Sequence, residues 1–169
     1  GIHHSLFLKS DGSLHAIGFN DKGQLGTGNT TNKHSSTQIV ASGVTQIAGG
    51  AYHSLFIKSD GSLHAMGDNN SGQLGTGNTT DQHSPVQVVA SGVVEVAAGY
   101  SHSLFLKADG SLHAMGSNYS GQLGTGNTTQ QTPPVQIVAS GVVQVAAGYD
   151  HSLFMKSDGS LHAMGDNQY

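Results

Sequence analysis

Histidine is the residue with the most chemical potential in this chain of 169 residues, which holds 11 of them and no cysteine. His4, His53, His102 and His151 recur at a step of 49 residues, each opening the segment His-Ser-Leu-Phe. His15, His64, His113 and His162 recur at the same step inside Ser-Leu-His-Ala. Imidazoles brought into phase around an axis could hold a metal ion. A structural role explains them better. Each His of the first series follows a glycine turn, where a ring nitrogen can satisfy a buried backbone group. Those of the second alternate with residues such as Leu63 and Ala65, as solvated side chains or as contacts between repeat units. No metal site is assigned.

Other chemistries find little support. Asp11, Asp60, Asp109 and Asp158 precede glycines and read as turn residues. Their spacing puts them on successive units and says nothing of a carboxylate pair for acid–base work. The segment Gly-Gln-Leu-Gly-Thr-Gly-Asn lacks the Lys-Ser/Thr and the strand-to-helix setting of a phosphate loop. No Gly-x-Ser-x-Gly nucleophile elbow is present. The sequence therefore reads as non-enzymatic, with no catalytic residue and no cofactor assigned. Six Lys, no Arg and a net charge of −4 argue against nucleic acid as partner. The apolar runs fall far below the roughly 20 residues a membrane helix needs. Without cysteine there is no disulfide framework. No signal peptide is visible, and the compartment is left open.

These residues are positioned by a repeat. The copies span 1–49, 50–98 and 99–147, with a partial copy at 148–169. In the second copy, Ser54 to Lys58 and Ser62 to Met66 are strands joined by Ser59-Asp60-Gly61. Asp-Gly between apolar runs is a strong hairpin signal, because glycine supplies positive φ. A polar, glycine-rich segment runs from Gly67 to Ser84. Pro85 opens a third strand, Val86 to Val89, and Val93 to Ala97 forms a fourth. Leu55 and Ile57 point to one side and Phe56 to the other; Val93, Val94 and Val96 are also apolar on both faces. Strands apolar on both faces lie between packed layers. No long segment has the 3.6-residue period of a helix. Four short strands in 49 residues is the size of a propeller blade. The expected fold is all-β: a propeller of four-stranded antiparallel blades, about three and a half per chain.

The stretch from Val93 to Asn127 resembles the repeat of the regulator of chromosome condensation family. The resemblance is carried by Gly99 with His102, Asp109-Gly110, Gly116 with Asn118, and Gly121-Gln122-Leu123-Gly124. These features recur in each copy as far as it extends. The resemblance implies a seven-bladed propeller in typical members, with about twice this many repeats. The family often has Trp where this chain has Ile17, Met66, Met115 and Met164, and Met fills irregular gaps well. Members act as exchange factors for small GTPases, light sensors, enzyme inhibitors and interaction domains. What the resemblance implies is binding through blade loops rather than shared catalysis.

An open array of repeats leaves its end units uncovered. We expect this chain to close its ring with further copies of itself, as a homo-oligomer, or to be part of a longer propeller. The copies are near-identical except at a few loop phases, where binding is usually placed. His3, Tyr52, Ser101 and Asp150 share one such phase; Ala51, Tyr100 and Tyr149 share another. Phe19, Asp68, Ser117 and Asp166 share a third, and Asp21, Asn70, Tyr119 and Gln168 a fourth. The candidate partner-binding residues are Phe19, Tyr52, Asp68, Tyr100, Tyr119, Tyr149 and Asp150. The leading reading is an interaction scaffold for a protein partner. The rivals are a repeat lectin with one weak glycan site per blade, favoured by near-identical loops, and an excised or designed array with no function of its own.

Overall fold

Every copy carries a hairpin closed by Asp-Gly. In the computed structural model, which describes residues 1–168, Lys58 N donates to Ser62 O at 3.0 Å. Asp60 Oδ1 accepts from Ser62 N at 2.9 Å. Gly61 takes φ 75°, in the left-handed region that side chains avoid. The partial copy expected at 148–169 is thus described up to Gln168.

Fourteen strands follow in chain order among the described residues. β1 (His4–Leu8), β2 (Leu14–Gly18) and β3 (Lys33–Val40) form one sheet. β4 (Val44–Gly49), β5 (His53–Lys58), β6 (Leu63–Gly67) and β7 (Gln82–Val89) form the second, in that spatial order. β8 (Val93–Ala98), β9 (His102–Lys107), β10 (Leu112–Gly116) and β11 (Gln131–Val138) form the third. β12 (Val142–Ala147), β13 (His151–Lys156) and β14 (Leu161–Gly165) form the fourth. All pairings are antiparallel. The architecture is an all-β array of propeller blades: two of four strands flanked by two of three.

The second, third and fourth sheets each start one strand ahead of the His-Ser-Leu-Phe segment, whereas the first starts on it. Val93–Ala98 ends the copy 50–98 in sequence, but it pairs with β9 of the next copy. The reason is the connection. Gly99-Tyr100-Ser101 is a tight antiparallel turn, whereas Ala90-Ser91-Gly92 carries the chain between sheets.

The first strands β4, β8 and β12 lie next to one another, and Glu95 Oε1 on β8 accepts from Val145 N on β12 at 3.3 Å. The sheets pack face to face through the two-sided apolar strands. Leu55 and Ile57 of the second sheet join Phe105 and Met115 of the third in one buried cluster. Phe56 turns the other way, to Leu14 of the first sheet, with Val44 and Met66.

Two strand expectations are corrected. Val94 is 46% exposed, not apolar-buried like Val93. The register of β8 on β9 shifts between Val93 and Glu95, so Val94 is the extra residue of a bulge and turns outward. The third strand of the copy begins at Gln82 rather than after Pro85. β7 is the outer edge of its sheet, where a residue without N–H is tolerated.

Candidate functional site

The turn that joins β4 to β5 is shaped by the histidine that follows it. Gly50 N donates to His53 O at 2.9 Å. A Cβ on Gly50 would lie 2.1 Å from His53 Cε1, so only glycine leaves room for the ring. The His53 ring is fully buried, and its Nε2 lies 2.9 Å from Ser103 Oγ on the next sheet. His4 with Ser54, at 2.8 Å, and His102 with Ser152, at 2.9 Å, repeat the bond. The ring nitrogen thus meets a serine hydroxyl across the blade junction, not the backbone group the sequence suggested. Burial pushes the pKa of His53 down to about 3 and those of His4 and His102 down to about 4. They are neutral wedges.

The second histidine series makes its contacts within its own sheet, not between units, and His64, His113 and His162 stay partly exposed while His15 is buried. His64 stacks on Phe56 of the neighbouring strand, with ring centroids 4.9 Å apart and planes 5° off parallel. Its Nε2 meets Ser62 Oγ at 3.1 Å. Cross-strand stacking explains the alternation with Leu63 and Ala65. Among the described residues no group of three or more His, Asp or Glu could hold a metal ion.

The long loops between the second and third strands of each copy are tied inward. Asn69, fully buried, accepts from Leu74 N at 3.0 Å through Oδ1. Its Nδ2 donates to Thr76 Oγ1, Asn78 O and Thr80 O at 3.0 to 3.1 Å. Asn20 and Asn118 do the same in their copies. The glycine-rich loop is therefore a framework for its neighbours.

What that framework presents is a row of aromatic rings crossing all four sheets. His3 and Phe19 have centroids 6.0 Å apart, Phe19 and Tyr52 6.2 Å, Tyr52 and Tyr100 6.2 Å, and Tyr100 and Tyr149 4.2 Å. Backbone bonds hold the turns in line: Ala51 N donates to Tyr100 O at 3.4 Å and Tyr100 N to Tyr149 O at 3.0 Å. Further bonds bring the long loops alongside. Phe19 N donates to His3 O, Asp68 N to Tyr52 O and Asp166 N to Asp150 O, each at 2.9 Å. Phe19, Tyr52, Asp68 and Tyr100 line a cavity of about 400 Å³, together with Lys22 and Asn70. Tyr149 and Asp150 border a wider hollow of about 840 Å³ with His151 and Asp166.

Six of the seven candidate residues thus lie along one surface. Tyr119 is 75% exposed and borders neither hollow. Sequence reasoning missed Lys22. Its ammonium lies 3.6 Å from both Asp68 and Asp81. The signal was available, since Lys22, Ser71 and Ser120 differ at one loop phase. The Asp68 carboxyl is pushed up, first by burial and then by Asp81, while Lys22 opposes the shift.

The comparisons with known proteins agree with this geometry. The family model described as regulator of chromosome condensation (RCC1) repeat matches residues 11–57, 60–106 and 109–155. A second model of the same description matches 44–73, 93–122 and 142–169. No curated protein matches the sequence. Human WBSCR16 is similar at 28% identity and a TM-score of 0.85, over 96% of this chain and 45% of that one. Prp20p from Saccharomyces cerevisiae, described with its binding to Gsp1p and histones, is similar at 25% identity and a TM-score of 0.86, over 100% of this chain and 44% of that one. Yeast RCC1 (Prp20) bound to Kap60 is similar at 25% identity and a TM-score of 0.81, over 96% and 42%. The chain spans less than half the length of these solved structures. The protein belongs to the RCC1 repeat family.

Proposed function

We propose that this chain is a non-catalytic scaffold that docks a protein partner on the loop face carrying the aromatic row. The single observation behind it is that row: five rings from four sheets in unbroken sequence, with tyrosines that combine a large apolar body and a polar tip. Prp20 is described with Gsp1p, histones and Kap60, so a related propeller meets proteins. The rings come from phases that differ between copies, as one extended epitope needs. The near-identical part of the loops is occupied with internal bonds to Asn20, Asn69 and Asn118. That weighs against one equivalent glycan site per blade.

The test is affinity capture with the chain and with a Tyr100→Ala/Tyr149→Ala variant of unchanged circular dichroism. A discrete protein retained by the first and lost by the second supports the scaffold. Hits on a glycan array that depend on the same tyrosines, with no protein captured, overturn it in favour of the lectin.

Closure by a second copy is a further reading with its own observation. Ser5 and His151 are exposed on the two outer sheets, while their counterparts pair across the inner junctions. The outer faces thus offer the two halves of the bond that joins the inner blades. Light scattering on a sizing column decides it: a discrete dimer or higher closed species supports assembly, and a monomer excludes it.

A further inference from the structure

The charges of this chain are sorted between its two ends. Lys9, Lys58, Lys107 and Lys156 lie at the hairpin-turn end with Asp11, Asp60, Asp109 and Asp158, and these cancel. Glu95 is on β8. The loop end holds Asp21, Asp68, Asp81, Asp150 and Asp166 against Lys22 and Lys33. Three of the four net negative charges therefore sit at the end that carries the aromatic row.

Lys22 shows how this face receives a cation. Its ammonium lies between Asp68 and Asp81, and it lines the same cavity as Phe19 and Tyr52. Further along the row the arrangement recurs without its lysine. Asp166 stands at the phase of Asp68, but Ser120 stands at the phase of Lys22. Asp150 adds a second carboxylate, joined to Asp166 through the backbone bond and held by Gln122 Nε2 at 3.1 Å. Among the described residues, both ion pairs belong to Lys22. Tyr149, 60% exposed, stacks on Tyr100 and stands with Asp150 and Asp166 at the loop end of a hollow whose remainder lies on the uncovered face of the fourth sheet, along Leu153, Ala163 and Met164. An aromatic face beside two carboxylates attracts guanidinium and ammonium groups by ring quadrupole and by charge.

We propose that the Tyr100–Tyr149 end of the row takes an arginine- or lysine-bearing segment of the protein partner, its cations directed to Asp150 and Asp166. This rests on the loop face being the docking surface and adds the chemistry of what docks there.

The probe is a fluorescein-labelled octa-arginine peptide, titrated against the 169-residue chain by anisotropy, with octa-glutamate for comparison. Octa-arginine binds saturably and octa-glutamate does not. Asp150→Asn/Asp166→Asn weakens binding on the order of ten-fold, as does Tyr149→Ala, and added salt weakens it further. Asp109→Asn/Asp158→Asn removes the same charge from the opposite end and leaves affinity within about two-fold. Equal weakening by both pairs, or no saturable binding of octa-arginine, overturns the proposal. A partner captured through Tyr100 and Tyr149 that ignores Asp150→Asn/Asp166→Asn overturns the cationic segment alone and leaves the scaffold standing. Capture that ignores the tyrosines removes both.

Discussion

His53 Nε2 lies 2.9 Å from the hydroxyl of Ser103, 50 residues on and one sheet away. Ser103 Oγ in turn donates to Gln73 O at 2.8 Å. With the hydroxyl hydrogen committed to that carbonyl, the ring must be the donor, and the proton sits on Nε2. The buried Nδ1 is then an acceptor, and it has no hydrogen-bond partner. The bond is a fastener between blades, set among the apolar side chains that join the same two sheets.

Removing either side of the fastener leaves a buried polar group unpaired. Ser103→Ala strands the Nε2–H and should cost about 1–3 kcal/mol. His53→Ala also opens a cavity and should cost about 2–4 kcal/mol. The double variant should cost less than the sum, because the second change removes a group that the first orphaned. His151→Ala, at an exposed ring of the same series, should stay within about 0.5 kcal/mol. Urea unfolding of the four variants checks this. Equal losses at His53 and His151 would show that the junction bond contributes nothing.

The same histidines set an acid limit. Burial holds His53 at about 3 and His4 and His102 at about 4, below the usual value near 6.5. Above about pH 6.5 folded and unfolded rings are both neutral, and they contribute no pH dependence. As pH falls from there, the unfolded chain takes up protons that the folded chain refuses. Stability should drop by about 1.4 kcal/mol per pH unit for each ring, until the folded values are reached. Denaturation midpoints at pH 7, 5.5 and 4.5 measure the slope. A flat profile would mean that these rings are open to water.

The 49-residue period, the Asp-Gly hairpins and the two-sided strands were legible in the sequence because each depends on neighbours in the chain. Phe56 and Leu55 declare their faces by alternation alone. The partners of His53 and His64 were not legible. Both stand in short polar–apolar runs, and only the sheet pairing shows that one crosses a junction while the other stacks on Phe56 of its own sheet. The loop phases singled out Phe19, Tyr52, Tyr100 and Tyr149 by their variation. Their union into one row depends on Ala51 N meeting Tyr100 O, a bond between copies that no local pattern encodes. Lys22 escaped notice because its worth lies in two carboxylates on the next sheet.

Gly99 is fixed by the same architecture. A Cβ there would lie 2.1 Å from His102 Cε1 and 2.6 Å from Gly148 O. The ring is buried and the carbonyl is backbone, so neither can move cheaply. Gly99→Ala should cost about 3 kcal/mol or more. Gly77 has open space around its Cβ position but a φ of +78°, so Gly77→Ala meets only backbone strain, about 1–2 kcal/mol. Thermal melts of the two variants should separate by several degrees. Reversal of their order would place the constraint in backbone conformation rather than in the ring contact.

Asn69 ties the stability of the fold to the docking face. Its amide closes the long loop through one accepted and three donated bonds, and Asp68, the residue before it, lines the aromatic cavity. Asn69→Ala leaves the buried Leu74 N–H without its acceptor and should cost about 1–3 kcal/mol. Asn69→Asp keeps the shape and the bond from Leu74 N, yet it replaces the Nδ2 donor with an oxygen facing Asn78 O and Thr80 O. A buried charge against two carbonyls is worse than a small void, so Asp should destabilise at least as much as Ala. The loop also carries Asp81, which accepts from Asn69 N at 2.8 Å and holds Lys22 from the other side. Loosening the loop should therefore weaken partner binding at Tyr52 while binding at Tyr149 persists. Hydrogen exchange at the Leu74 amide reports the loop directly: its protection should fall in Asn69→Ala by loss of its acceptor and in Asn69→Asp by opening of the loop alone, while that of Leu123, closed by Asn118 in the next copy, holds.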